Sequence, residues 1–416
     1  MKTQRRKFLG QLLSASVAGI ALPSLAEGSS FPQWTGEDDE AYWEGIKKLF
    51  APADNLIMMN AANLCPSPTV VNERVVEFTK AMGKDVSFQY RARFAELRKK
   101  SITQLAQFAG ADATEIGITR NTSESNCTIV HGLDLKPGDE VIIWDQNHPS
   151  NKEVWMNQAK RSGFSVIKVS MPVQPSSTAE LVSVFSKAIT ANTKLISFSH
   201  ISNLSGIALP AFEICQLAKA KGIMTLVDGA QSLGAVDINL HAMGCTFFTA
   251  STHKWLMGPF ENGMIYVSKD SFNKIWPNII GAGWKEAQSV DEQFCILGQR
   301  NEPSPAAIPD TIGFHQAIGT QRIQKRIVQL NTYLKKKIQE FIPKATFVTP
   351  LSPELSAGIV IINLPGKEIR EVADKLYHTY GVAAAPAGGI RLSPHIYNTM
   401  KDIDHTVKSL AAIANA

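Results

Sequence analysis

The 416-residue chain has only five cysteines, and none of them stands in a C-x-x-C pair. Cys65, Cys127, Cys215, Cys245 and Cys295 are scattered, so neither a zinc site nor a disulfide framework is legible. The odd count leaves at least one thiol free or paired between chains. No G-x-G-x-x-G follows an early strand, which argues against a dinucleotide-dependent dehydrogenase. There is no internal repeat and no low-complexity tract. Charged residues make up 19% of the chain and apolar residues 44%, a balance that disfavours both disorder and a membrane bundle. The N-terminal apolar run, roughly residues 12–22, falls short of the ~20 residues that a bilayer-spanning helix needs.

What is present begins with an address. Lys2, Arg5, Arg6 and Lys7 precede that apolar run, and Pro23-Ser24-Leu25-Ala26 closes it. A basic start, a short apolar core and a small-x-Ala end are the parts of a secretory signal. The arginine pair followed by x-Phe8-Leu9 resembles a twin-arginine signal, so residues 1–26 are expected to direct export to the periplasm through that machinery. The formal net charge of +5 falls to +1 without these four bases. No nucleic-acid or membrane partner is implied. A protein folded before export also needs no disulfides, which agrees with the cysteine pattern.

Beyond an N-terminal arm (27–55), short β-rich runs alternate with helical periods. The runs EVIIW (140–144), SVIKV (165–169), KLISF (194–198), IMTLV (223–227) and GMIYV (263–267) are mostly apolar. Such runs suit strands covered on both faces of a largely parallel sheet, an α/β architecture. The rhythm breaks across 272–309. We therefore expect a large domain over 56–285 and a smaller α+β domain over 286–416. The smaller one is predicted to open with a long helix (310–341), followed by strands near 357–363 and 390–392 and a terminal helix from Met400.

The sharpest segment is Asp228-Gly-Ala-Gln231 followed by Ser251-Thr-His253-Lys254. Asp228 ends an apolar strand, where α/β sheets present their ligand-binding groups. A lone lysine is usually a surface charge, but Lys254 closes another apolar stretch. Thr122-Ser123-Glu124 lies between a strand-like run and a helix, where N–H groups and hydroxyls can bind a phosphate.

Taken together these motifs resemble the class V aminotransferases, fold-type I enzymes that use pyridoxal 5'-phosphate and include cysteine desulfurases and isopenicillin N epimerase-like proteins. The resemblance runs from about residue 56 to the C-terminus. It implies a mainly parallel seven-stranded sheet, a small C-terminal domain and a homodimer. It assigns Lys254 to the Schiff base with the cofactor, Asp228 to the ring nitrogen and His148 to the ring face. Gln231 and Asn203 would meet the ring hydroxyl, and Thr122, Ser123, Ser251 and His253 the phosphate. Arg391, in Arg391-Leu-Ser393 before Tyr397-Asn398-Thr399, would grip a substrate carboxylate, with Asn63 entering the same pocket.

Two departures narrow the expectation. Sulfur-mobilising members carry a cysteine shortly before the arginine segment, and this chain has Gly381-Val-Ala-Ala-Ala-Pro-Ala-Gly-Gly389 there. At Gly298-Gln299 the family has a Gly-Thr pair that reaches the neighbouring subunit's phosphate; the Gly-x-Arg-Asn form resembles the isopenicillin N epimerase-like branch. The implied function is transaminase- or epimerase-like chemistry at the α carbon of an amino acid or peptide amino group. Alternatives are periplasmic tailoring of a pyoverdine-type siderophore peptide by oxidative decarboxylation, and a cofactor-binding protein without catalysis.

Overall fold

A computed structural model describes residues 31–36 and 40–416, so the expected signal segment lies outside the described residues. The core is a seven-stranded sheet. Its strands are β1 (Ile116–Thr119), β2 (Glu140–Trp144), β3 (Ser165–Val169), β4 (Thr193–Ser199), β5 (Met224–Asp228), β6 (Phe247–Ser251) and β7 (Gly263–Val267). They lie in the order β1-β7-β6-β5-β4-β2-β3. All neighbours from β6 to β3 pair in parallel, and only β7 runs antiparallel to both of its partners. The expected mainly parallel sheet of seven strands is therefore observed.

The apolar runs are explained by burial. Every residue of β6 and β7 is buried, because helices cover both faces of the sheet. The relevant helices are α1 (Thr122–Gly132) and α2 (Pro149–Ser162), which start just past β1 and β2. Asn121 caps α1, its side chain accepting the N–H of Glu124. Gly229 follows Asp228 because a Cβ there would run into the Phe248 ring.

A second sheet, antiparallel and four-stranded, has the order β10-β11-β9-β8, from β8 (Thr346–Phe347), β9 (Val360–Asn363), β10 (Ala385–Pro386) and β11 (Ile390–Leu392). One face packs against α3 (Thr320–Phe341), whose Ile323, Ile327, Leu330, Leu334 and Ile338 form a buried stripe. The terminal helix α4 (Met400–Asn415) joins the same core and opens with a capping box between Thr399 and Asp402.

The expected boundaries shift in three places. The single helix expected over 310–341 is two, Ile308–Ile318 and α3, broken at Gly319 with φ 100°. Ile308 and Ile312, past the expected boundary at 286, pack into the same core cluster as the central sheet. The expected arm is also integral. Helix Glu40–Lys47 buries Trp43 and Ile46 against Ile323 and Ile327, and Glu40 pairs with both terminal nitrogens of buried Arg326 at 2.9 Å. Ile57–Met58 pairs in parallel with Val382–Ala383, tying the N-terminal segment to the small domain. Among the described residues no helix is long and apolar enough to cross a membrane.

Candidate active site

The carboxyl ends of β1, β2, β4, β5 and β6 all point to one edge of the sheet, and the chemistry-bearing residues gather there. Asp228 ends β5 and is 3% exposed. Its Oδ1 accepts the N–H of Ala230 at 3.1 Å and its Oδ2 accepts Asn126 Nδ2 at 2.9 Å. Asn126, fully buried on α1, is itself held by Thr249 Oγ1, which donates to its Oδ1 at 2.7 Å. The sequence reading missed Asn126. Its signal was its place one helical turn beyond Thr122, on the same face of α1.

Lys254 sits in a tight loop just past β6. The loop closes through Met257 N–H to Lys254 O at 2.8 Å and Gly258 N–H to Thr252 O at 2.7 Å. Met257 pays for the turn with a left-handed φ of 59°, a conformation costing roughly 1–3 kcal/mol. The Lys254 ammonium is destabilised first by burial; Asp228 opposes that and Arg391 adds to it, so its pKa lies below the usual lysine value. No ion pair holds the amine among the described residues. It is therefore set up as a free nucleophile and base.

The expected phosphate cup assembles in part. Thr122 N–H and Thr122 Oγ1 both meet Ser251 Oγ, at 3.0 and 2.6 Å, joining the start of α1 to the end of β6. Ser123 Oγ donates to Ser150 Oγ at 2.9 Å, and Ser150 Oγ lies 2.8 Å from His148 Nδ1. Among the described residues, His253 Nδ1 is buried without a hydrogen-bond partner. Burial, then the nearby Lys254, pushes its pKa down to about 4.

His148 is half-buried at the start of α2, with Asp228, Lys254 and Arg391 near enough to act on its charge. Asn147 anchors this turn, accepting Ser199 N–H at 2.8 Å and donating to Ser197 O at 3.0 Å. Gln146 Oε1 accepts the hydroxyls of Ser202 and Ser205, which ties the turn to the loop carrying Asn203.

Arg391, on β11, is 6% exposed, and burial lowers its pKa to about 10. Its terminal nitrogens donate to Asn203 O and Asn60 Oδ1, both at 3.3 Å, while among the described residues Nε is buried without a partner. Asn60, bridged in parallel to Ser393, meets Arg391, whereas Asn63 three residues on is exposed and makes no side-chain hydrogen bond among the described residues. Gln231 is also more committed than expected. Its Nε2 donates to Ala62 O at 2.8 Å and its Oε1 accepts Trp255 Nε1 at 2.7 Å, leaving a single amide hydrogen for any ligand. Asn203 is buried, and among the described residues its side-chain amide makes no hydrogen bond. Gln299 is exposed, and among the described residues its side chain bonds only the adjacent Arg300 O.

All five cysteines are free and none lies on 381–389. Cys65 and Cys215 are pushed up to about 12 by burial, and burial raises the other three thiols as well. Burial thus disfavours the thiolate form of each.

This arrangement has relatives. The sequence profile described as "Aminotransferase class-V" matches residues 60–406. Isopenicillin N epimerase of Streptomyces clavuligerus is 26% identical over 393 residues, covering 90% of this chain and 98% of its own. A probable cysteine desulfurase of Methanothermobacter thermautotrophicus is 26% identical, covering 86% of this chain and 94% of its own. Among solved structures, the apo cysteine desulfurase of Thermococcus onnurineus NA1 superposes with a TM-score of 0.79 at 21% identity, over 96% of this chain and 100% of that one. At that identity the likeness establishes the fold.

Proposed function

The chain belongs to the class V aminotransferase family, and from that premise we propose that it is a transaminase- or epimerase-like enzyme acting at the α carbon of an amino acid or peptide amino group. Its cofactor is pyridoxal 5'-phosphate. The residues fit this group: a free buried amine at Lys254, a carboxylate held on two donors at Asp228, and an orphaned Nδ1 at His253 beside the Thr122–Ser251 cup. When bound, the cofactor withdraws electrons from the substrate α carbon.

The protein's own work is then positional and acid–base. Lys254 would hold the cofactor covalently, Asp228 would keep a proton on the ring nitrogen, and Thr122, Ser123, Ser251 and His253 would hold the phosphate. Arg391 presents a guanidinium on a rigid strand, aimed by Asn60 and Asn203, and suited to a substrate carboxylate. Lys254, its pKa lowered by burial, would also be the general base that takes and returns the α proton.

The observation that carries this reading is the convergence of Lys254, Asp228, His148 and Arg391 on one another's charges. The thiol set supports an epimerase- or transaminase-like course over persulfide transfer. Homodimerisation is part of the same proposal, supported by the exposed apolar side chains Phe88, Phe260, Trp276 and Ile280. A second reading, tailoring of an exported siderophore peptide, draws on the Arg5-Arg6 start.

Incubating the loaded enzyme with amino acids and short peptides, then reading mass and chirality, tests the proposal. An oxo product or unchanged mass with inverted configuration supports it. A decarboxylated product would replace it with the tailoring reading.

A further inference from the structure

His148 is the N-cap of α2. Pro149 occupies the first helical position, and His148 Nδ1 accepts the backbone N–H of Ser150 at 3.2 Å. Ser150 Oγ lies 2.8 Å from the same nitrogen, and that oxygen already accepts the proton of Ser123 Oγ at 2.9 Å. Because the Ser150 backbone N–H already donates to Nδ1, that nitrogen is an acceptor, and the Ser150 hydroxyl proton is directed at it. An imidazole whose Nδ1 accepts must carry its hydrogen on Nε2. Protonating Nδ1 would break the cap and set a positive charge against the positive end of a 14-residue helix.

The charged groups facing the ring come from three other elements. Asp228 at the end of β5 favours the imidazolium, while Lys254 after β6 and Arg391 on β11 oppose it, as does burial, the largest effect. We propose that Ser150 is a positioning residue that holds His148 as the neutral, Nε2-protonated imidazole, and that Ser123 couples this state to the phosphate cup. The inference rests on the placement of His148 at the cofactor site. Its consequence is electrostatic: a neutral ring can lie beside a protonated pyridine where an imidazolium would be repelled.

The test is nitrogen-15 NMR of histidine-labelled full-length protein, with and without cofactor, the His148 signals being assigned by their loss in His148→Gln. The expected wild-type pattern at neutral pH is an unprotonated Nδ1 and a protonated Nε2. Ser150→Ala should populate the other tautomer and raise the protonation midpoint of His148 by about half to one pH unit. Ser150→Thr should restore both, and the acid limb of the kcat profile should move with the midpoint. A protonated Nδ1 in wild type, or a Ser150→Ala spectrum and midpoint identical to wild type, overturns the proposal. The expected tautomer pattern in a protein that never gains a visible band with pyridoxal phosphate would overturn the cofactor placement and leave the Ser150 lock intact.

Discussion

Replacing Asn126 by alanine should loosen the grip of the protein on its cofactor without touching any residue that contacts it. Asn126 is fully buried and has two bonds to lose, the donation to Asp228 Oδ2 at 2.9 Å and the acceptance from Thr249 Oγ1 at 2.7 Å. A hydrogen bond to a charged group contributes about 1.5–3 kcal/mol, and a buried hydroxyl left unsatisfied costs about 1–3 kcal/mol. A bound ring adds a demand on the Asp228 carboxylate that Asn126 orients, so the cofactor-bound form should lose more than the cofactor-free one. Stability of the cofactor-free protein should fall by about 3 kcal/mol, and cofactor affinity by about 10- to 100-fold, the equivalent of 1.4–2.8 kcal/mol. Asn126→Asp should be worse, because it sets two carboxyl groups against each other. The assay is thermal unfolding of the cofactor-free variant together with a visible-absorbance titration with pyridoxal phosphate. An Asn126→Ala protein of wild-type affinity would refute the claim that Asn126 orients Asp228.

Three further outcomes follow from the same geometry. Arg391→Ala should raise KM for substrates bearing an α-carboxylate by about 100-fold with a smaller change in kcat, and amines lacking the carboxylate should be spared; steady-state kinetics on matched pairs reads this. His315 and His395 are fully buried, with pKa values lowered by burial to about 4 and about 3. The unfolded chain binds those protons first, so stability should be intact above about pH 6.5 and decline progressively below it, a slope that His395→Gln should flatten in denaturant titrations at stepped pH. The proposed export is checked by fractionating cells that produce the full chain. The wild type should reach the periplasm and the Arg5→Lys, Arg6→Lys double variant should stay in the cytoplasm; equal distribution would reject the twin-arginine reading.

The parts of the site legible in the sequence are those whose signal is local. Asp228 ends an apolar strand and Lys254 follows another by three residues, and the structure puts both at the same sheet edge. Thr122 and Ser123 stand at a strand-to-helix junction that also proves real. What stayed hidden depends on contacts between distant segments. Asn126 reads as one more polar residue on a helix until Asp228, 102 positions away, is seen beside it. Asn60 and Asn63 are equivalent in sequence, and only the bridge to Ser393 decides between them. Ser150 was visible beside His148, but its role needs the hydroxyl of Ser123, 27 residues earlier. A composition break marks where regular structure pauses, while Ile308 and Ile312, beyond the expected boundary, pack into the core of the central sheet. Gly319 was a readable helix stop that the long amphipathic period masked.

The central claim is that Lys254 carries pyridoxal phosphate, and one measurement reaches it directly. The purified protein is treated with borohydride, digested, and searched by mass for the phosphopyridoxyl adduct. The expected result is a visible band that bleaches on reduction, with the adduct on the peptide containing Ser251-Thr-His253-Lys254, and no band or adduct in Lys254→Ala. An adduct on another lysine, or a band that survives in Lys254→Ala, would contradict the account.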